Sequence, residues 1–220
     1  MKNFVLNLKE SKARRETFFE RYPTCLPPVE VWEAEPPERC ETPAWWRGTP
    51  PFNSHRVNFL NVLRACEKAD EIFMFWEDDC IFSESFEDRY NAFMREVPDD
   101  WECLNLCTLH MNSTIFPPRQ ISENVLRPVL GFNTNAMLFS PSGARKMRDQ
   151  LEKPSWMCKH IVEQQLGYLY MNQEFKVYAP IRNFVGQAAC YSELCERERC
   201  ERWYNDFLYI DRNGDRTWQT

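Results

Sequence analysis

Glycine is scarce in this chain, with six residues in 220. Neither GxGxxG nor GxxxxGK(S/T) occurs, which excludes a Rossmann dinucleotide loop and a P-loop as phosphate cradles. No GxSxG elbow occurs, which excludes the α/β-hydrolase nucleophile. Basic charge is also short: Lys and Arg total 27 against 33 Asp and Glu, a formal net charge of -6. A general nucleic-acid or membrane-surface binder needs a basic face, so both are excluded as the main role. No stretch is apolar for long enough to span a bilayer. The N-terminus MKNFVLNLKESKARRE has no apolar signal-peptide region, so a cytoplasmic location is expected.

Cysteine is abundant, with ten residues. Cys66, Cys80, Cys103 and Cys107 fall in apolar segments, where a free thiol behaves as a small hydrophobe. Cys158, His160, Cys190, Cys195 and Cys200 form the one set from which zinc could be held. No pair among them has CxxC spacing, so reduced thiols are the expectation and zinc the alternative.

Apolar runs alternate with helical patterns. FVLNL (4–8), VEVWEA (29–34), IFMFW (72–76), WECLNLC (101–107), NTNAMLF (133–139) and a short segment at 175–178 read as strands. Helices are expected over 12–21, 55–68, 83–96, 142–151 and 159–170. Ser11 caps the first, Asn53 or Ser54 the second, and Pro141 behind Ser140 opens the fourth. Residues 36–51 form a Pro-rich loop whose Trp45, Trp46 and Arg47 suit a lid; the bland alternative is that the rings cover core. Residues 110–127 read as irregular. A charged, Cys-containing tail, 190–220, reads as helical over 192–207. The pattern predicts one α/β domain over 1–220, with a mostly parallel sheet covered by helices on both faces.

Such sheets bind ligands at the carboxyl ends of their strands. There the chain reads FWEDDCIF, with Glu77, Asp78 and Asp79 straight after the most apolar strand. Three adjacent carboxylates repel, and none of Gly, Pro, Asn or Ser marks a solvated turn between Ile72 and Phe82. A bound divalent cation would resolve the repulsion and could also carry a diphosphate; the plainer alternative is an acidic strand-to-loop turn. On extended backbone Glu77 and Asp79 share one face and Asp78 takes the other.

Several segments in order resemble glycosyltransferase family 25, the lipopolysaccharide and collagen galactosyltransferase group. These are FVLNLKESKARRETF, VEVWEA, SHRVNFLNVLRACE, FWEDDCIF, DDWECLNL, GFNTNAMLFSPSGARKM and GQAACYSEL. The resemblance implies a single GT-A-like, Rossmann-like domain. It implies metal-dependent, inverting transfer of a hexose from UDP-galactose or UDP-glucose to a hydroxyl of a glycan, protein or other acceptor. Asp79 would hold Mn²⁺ or Mg²⁺ with help from Glu77, and His110 would complete the shell. Asn7, Arg14, Ser54, His55, Asp78, Gln187 and Ser192 would line the donor. Where the family places an Asp in the helix after its Gly-Ala helix, this chain reads CKHIVEQQLG, so Glu163, or His160, would serve as base. Each residue has a plainer role to weigh: a solvated helix face for Arg14 and Glu163, an N-cap for Ser54, loop packing for Gln187 and Ser192, and a packed ring for His110. The alternative for the whole chain is a catalytically degenerate binding module on the same scaffold.

Overall fold

The computed structural model describes residues 1–153, 161–192 and 197–220. In chain order the first half comprises β1 (Lys2–Leu8), α1 (Lys12–Arg21), β2 (Glu30–Ala34), α2 (Pro50–Ala69), β3 (Phe73–Glu77), β4 (Cys80–Phe82), α3 (Phe86–Glu96) and β5 (Cys103–Asn105). Short strands β6 (Leu109–His110), β7 (Arg119–Gln120), β8 (Val125–Arg127) and β9 (Gly131–Phe132) lead to β10 (Ala136–Phe139). Then follow α4 (Pro141–Glu152), α5 (Val162–Met171), β11 (Val177–Pro180), β12 (Val185–Gln187), β13 (Cys190–Ser192), β14 (Arg197–Arg199), β15 (Phe207–Ile210) and β16 (Arg216–Gln219).

The fold is mixed α/β around a 10-stranded sheet of order β16-β15-β7-β8-β11-β5-β10-β3-β1-β2. In its core, β2, β1, β3, β5 and β11 run parallel and β10 runs against them. The β8–β7 and β15–β16 pairs extend it with antiparallel partners. Strand alternation sorts the core into two layers. Phe73, Phe75, Met137 and Phe139 pack under α2, α4 and α5. Met74, Trp76, Leu104 and Leu138 pack under α1 and α3, through Phe18, Phe86 and Phe93. Helices thus cover both faces, as expected of a sheet whose strands read as continuous apolar runs.

Several boundaries differ from the sequence reading. Helix α2 begins at Pro50, not at Asn53 or Ser54, because Pro50 and Pro51 supply the fixed φ that suits a first turn. Asn53 Nδ2 donates to Glu41 O at 3.1 Å and Ser54 Oγ to Glu35 O at 2.7 Å, so both tie the helix to the preceding loop. Helix α3 begins at Phe86 rather than at 83, and the 110–127 stretch contains strands β7 and β8. Among its described residues the tail contains strands and no helix: β13 pairs with β14 and β15 with β16. The expected lid is tucked in. Trp46 is buried, and the Arg56 guanidinium lies 5.4 Å from the centres of both Trp45 and Trp46. Cys66, Cys80, Cys103 and Cys107 are buried free thiols, as their apolar settings implied. Among the described residues no helix is long and apolar enough to cross a membrane.

Candidate active site

The acidic triplet sits where parallel strands β1, β2 and β3 end together. Alternation along β3 puts Glu77 on the face of Phe75, beneath α2. Phe59 of α2 meets Phe75 at 5.3 Å between ring centres, so His55, one turn earlier, lies over Glu77. His55 Nε2 is 3.2 Å from Glu77 Oε1, and Thr134 Oγ1 donates to the same oxygen at 2.6 Å. Burial pulls the imidazole pKa down. The hydrogen bond and charge of Glu77, with Glu163 and Asp79 beyond, outweigh it and raise the value to about 9. Glu77 is held below its ordinary value: burial opposes this, but the imidazolium, Thr134 and Arg14 overcome it. His55 and Glu77 are therefore an ion pair at neutral pH.

The next two acids leave the strand in a turn and find different partners. Asp78 accepts from Asn7 Nδ2 at 2.6 Å and pairs with the guanidinium of Arg14. Asn7 ends β1 and Arg14 starts α1, so the two carboxylate oxygens bind the strand–helix junction. Asp79 turns the other way: Asn135 Nδ2 donates to its Oδ1, and Gln187 Nε2 to its Oδ2 at 2.8 Å. Its backbone carbonyl accepts from Ala188 N at 2.8 Å. Gln187 is fixed in turn by Tyr204 OH, which donates to Oε1 at 2.7 Å. Burial, then the charge of Glu77, push the Asp79 carboxyl up to about 6, against the pull of Arg14 and Gln187. The expected sharing of a face by Glu77 and Asp79 does not occur, since the strand ends at Glu77.

Two clefts flank this turn. One, of ≈ 320 Å³, runs between the ends of β1 and β2 and the start of α2. Leu6, Leu8, Ala34, Pro37 and Pro51 give it apolar walls, while Asn7, His55, Glu77 and Asp78 supply its polar end. Among the described residues the buried acceptor Asn7 Oδ1 and the ring nitrogen His55 Nδ1 of that lining find no hydrogen-bond partner. Ser54 and Asn58 shape the same wall by holding Glu35, with Asn58 Nδ2 donating to Glu35 O at 2.9 Å. The second cleft, of ≈ 290 Å³, lies across Arg14 and Asp78 and is bounded by Asp79, Thr17, Arg21 and Cys190.

Asn7, Arg14, Ser54, His55, Glu77, Asp78, Asp79 and Gln187 thus converge as the sequence led one to expect. Neither the solvated face for Arg14 nor the N-cap for Ser54 holds. Glu163 stands in the first turn of α5, near enough for its charge to raise the His55 pKa, and its buried Oε2 has no partner among the described residues. His110 behaves differently. Its ring packs 4.2 Å from the centre of Phe207, neither nitrogen has a partner, and burial pushes its pKa down to about 3. Among the described residues it packs on Phe207 away from the acids, so it is a packed neutral ring rather than part of a metal shell. His160, Cys158, Cys195 and the Ser192 side chain lie outside the described residues. Among the described residues no group of three His, Cys, Asp or Glu side chains is arranged to hold a metal, Cys190 and Cys200 included. Sequence reasoning missed Thr134, Asn135 and Tyr204. Polar residues 133–135 directly before the apolar AMLF strand were the available signal for the first two.

No protein-family model matches the sequence, and no curated protein matches it. Solved structures of similar outline include a protein from STIV, at 10% identity over 100% of this chain and 95% of that one, TM-score 0.40. A glycosyltransferase involved in the glycosylation of the major capsid of PBCV-1 is 13% identical over 80% of this chain and 81% of its own, TM-score 0.46. Mouse xyloside xylosyltransferase 1, in its apo form, is 12% identical over 80% and 70%, TM-score 0.42. Identity and score are low throughout, and the functional reading rests on the chain's own geometry.

Proposed function

We propose that the chain is a GT-A-type glycosyltransferase that binds a nucleotide sugar, UDP-galactose or UDP-glucose, at the carboxyl end of β3 and passes the hexose to a hydroxyl acceptor. The observation that carries the reading is the gathering of Glu77, Asp78 and Asp79 at that strand end, on the wall of a cleft with an apolar half and a charged half. The apolar half suits a flat base, for which Asn7 Oδ1 and His55 Nδ1 offer an unused acceptor and donor. The imidazolium of His55 and the guanidinium of Arg14 suit a diphosphate. The order of short motifs along the chain supports the same reading.

Magnesium and manganese held with a substrate's phosphates need only one or two protein carboxylates, so the lack of a three-ligand cage among the described residues is compatible with them. Asp78 and Asp79, which both line the second cleft, would hold the ion, with Glu77 supporting them through His55. When bound, the ion offsets charge developing on the leaving diphosphate. In the transfer itself the acceptor oxygen bonds to the anomeric carbon as the bond to phosphate breaks. The hydroxyl proton passes to Glu163, whose Oε2 is unpartnered. A base on the face opposite the leaving group gives inversion.

One observation favours a second reading, a binding module without turnover: each acid is already partnered within the protein, by Arg14 and Asn7, by Asn135 and Gln187, and by His55 and Thr134. UDP release from UDP-galactose and UDP-glucose, with Mn²⁺ and a sugar acceptor, separates the two. Release that is lost in Glu163→Gln supports the transferase. Donor binding without release supports the module.

A further inference from the structure

Beyond the acidic turn, at the far end of the β4–β12 ribbon, lies a cleft of ≈ 510 Å³ that the transfer reading does not use. Ser83, Ser85, Arg89, Arg182, Asn183 and Trp203 line it, with Asn205 at its rim. We infer that it is a second binding site, for an anionic saccharide: a sugar carrying a phosphate or a carboxylate. Its volume falls within the range of small-ligand sites, about 300–1,000 Å³.

Two cations meet here. Arg89 leaves α3 and donates to the backbone oxygen of Arg182, and its guanidinium lies 5.7 Å from the centre of the Phe184 ring. That bond uses one of the five N–H groups of Arg89. Among the described residues neither arginine forms an ion pair with a carboxylate. Acidic Glu84, Glu87 and Asp88 stand near the start of α3, but all are exposed and none lines the cleft. Glu201 is engaged by Trp203 Nε1 at 2.9 Å. Glu123 lies on the other side of the arginines, in the adjoining groove. Arg182 is exposed and its charge acts on Arg89, so an anion bound between them would relieve their repulsion. Burial and the charge of Arg182 together lower the Arg89 pKa.

The remaining groups suit hydroxyls. Asn183 is 1% exposed, and its Nδ2 donates to three carbonyls, those of Thr108, Trp203 and Tyr204, which fixes the orientation of the amide. Among the described residues its Oδ1 has no partner, and neither does Ser83 Oγ. A buried acceptor without a donor is costly, and a ligand hydroxyl would supply the missing hydrogen bond. The Trp203 ring packs against Gly186, where a Cβ would come within 3.0 Å of it, and so presents a braced aromatic wall to the cleft. Guanidinium pair, unsatisfied acceptors and indole together match a charged sugar better than inorganic phosphate or a neutral sugar. The inference is independent of the donor reading.

Calorimetry at low salt tests it, with glucose 6-phosphate, glucuronate, glucose and inorganic phosphate as probes and no nucleotide present. Glucose 6-phosphate or glucuronate should bind, and which of them binds distinguishes a phosphate from a carboxylate source. Arg182→Ala, at an exposed position, should weaken binding about tenfold or more, the loss of one charge-assisted pair, and Arg89→Gln should do the same. Asp78→Asn, in the other site, should leave it unchanged. The inference is overturned if neither acidic sugar binds, if the arginine variants bind as the parent does, or if Asp78→Asn abolishes binding. It is also overturned if inorganic phosphate or plain glucose binds as tightly as the acidic sugars.

Discussion

Replacing Arg14 by Met removes the cation wedged between two buried carboxylates. The guanidinium pairs with Asp78, and its Nη2 lies 3.9 Å from Asp79 Oδ2. Without it, Asp78 keeps Asn7 and Asp79 keeps Asn135 and Gln187, but these amides carry no charge. Removing one member of a buried pair costs about 3–5 kcal/mol, because the other is left as an uncompensated buried charge. The Asp78 side chain is 7% exposed and that of Arg14 is 24% exposed, so water reaches one end of the pair. A loss somewhat below that range, about 2–3 kcal/mol, is expected. In a chain of this size that lowers Tm by roughly 4–12 °C. Asp78→Asn in the Arg14→Met background should recover much of it, since the carboxylate that Arg14 balanced is then neutral. The assay is a thermal or urea melt of the parent, both single variants and the double variant at neutral pH and low salt. A Tm within about 1 °C of the parent for Arg14→Met, with additive losses in the double variant, would refute the reasoning.

Other outcomes follow from the same geometry. His110→Phe should protect the fold in acid. The imidazole pKa is about 3 in the folded chain and 6.5 when unfolded. Below pH 6.5 the unfolded chain therefore takes up a proton that the native one refuses, and the parent loses up to about 1.4 kcal/mol per pH unit down to about pH 3. The Phe variant should lack this component, and parallel urea-midpoint curves for the two proteins would contradict it. Gly143→Ala should destabilise by about 3 kcal/mol. Its Cβ would fall 1.9 Å from Glu102 O, backbone that cannot yield without parting α4 from β5, and an unchanged melting curve would refute that packing.

Much of this was legible from residues alone, and the failures have identifiable causes. The first helix was read over 12–21, its observed span, although the expected Ser11 side-chain cap is not made and only Phe18 of its apolar residues is buried; Pro23 supplies the stop. Pro141 behind Ser140 opened α4 as expected, with Ser140 Oγ accepting from Gly143 N at 3.1 Å. The start of α2 was misplaced because Asn53 and Ser54 look like caps. Their side chains instead bind loop carbonyls that no local pattern reveals. The charged run before Phe207 reads as helix by propensity, yet Arg197–Arg199 pairs with Cys190–Ser192 and Arg202 bridges to Gln187, so backbone pairing overrides the local preference. At the site, sequence gave the acids but not their division. That division depends on three elements far apart in sequence: α1 supplies Arg14, the turn before β10 supplies Asn135, and β12 supplies Gln187. His110 shows the converse, a ligand-type residue whose surroundings make it a plain core ring.

The most direct test of the central claim is calorimetric titration of UDP-galactose and UDP-glucose, with their GDP counterparts as controls, into the protein with and without Mn²⁺, repeated on Asp78→Asn. The account predicts metal-dependent binding of a UDP-sugar that Asp78→Asn abolishes while the variant stays folded. A folded parent that binds no nucleotide sugar under any metal would contradict it.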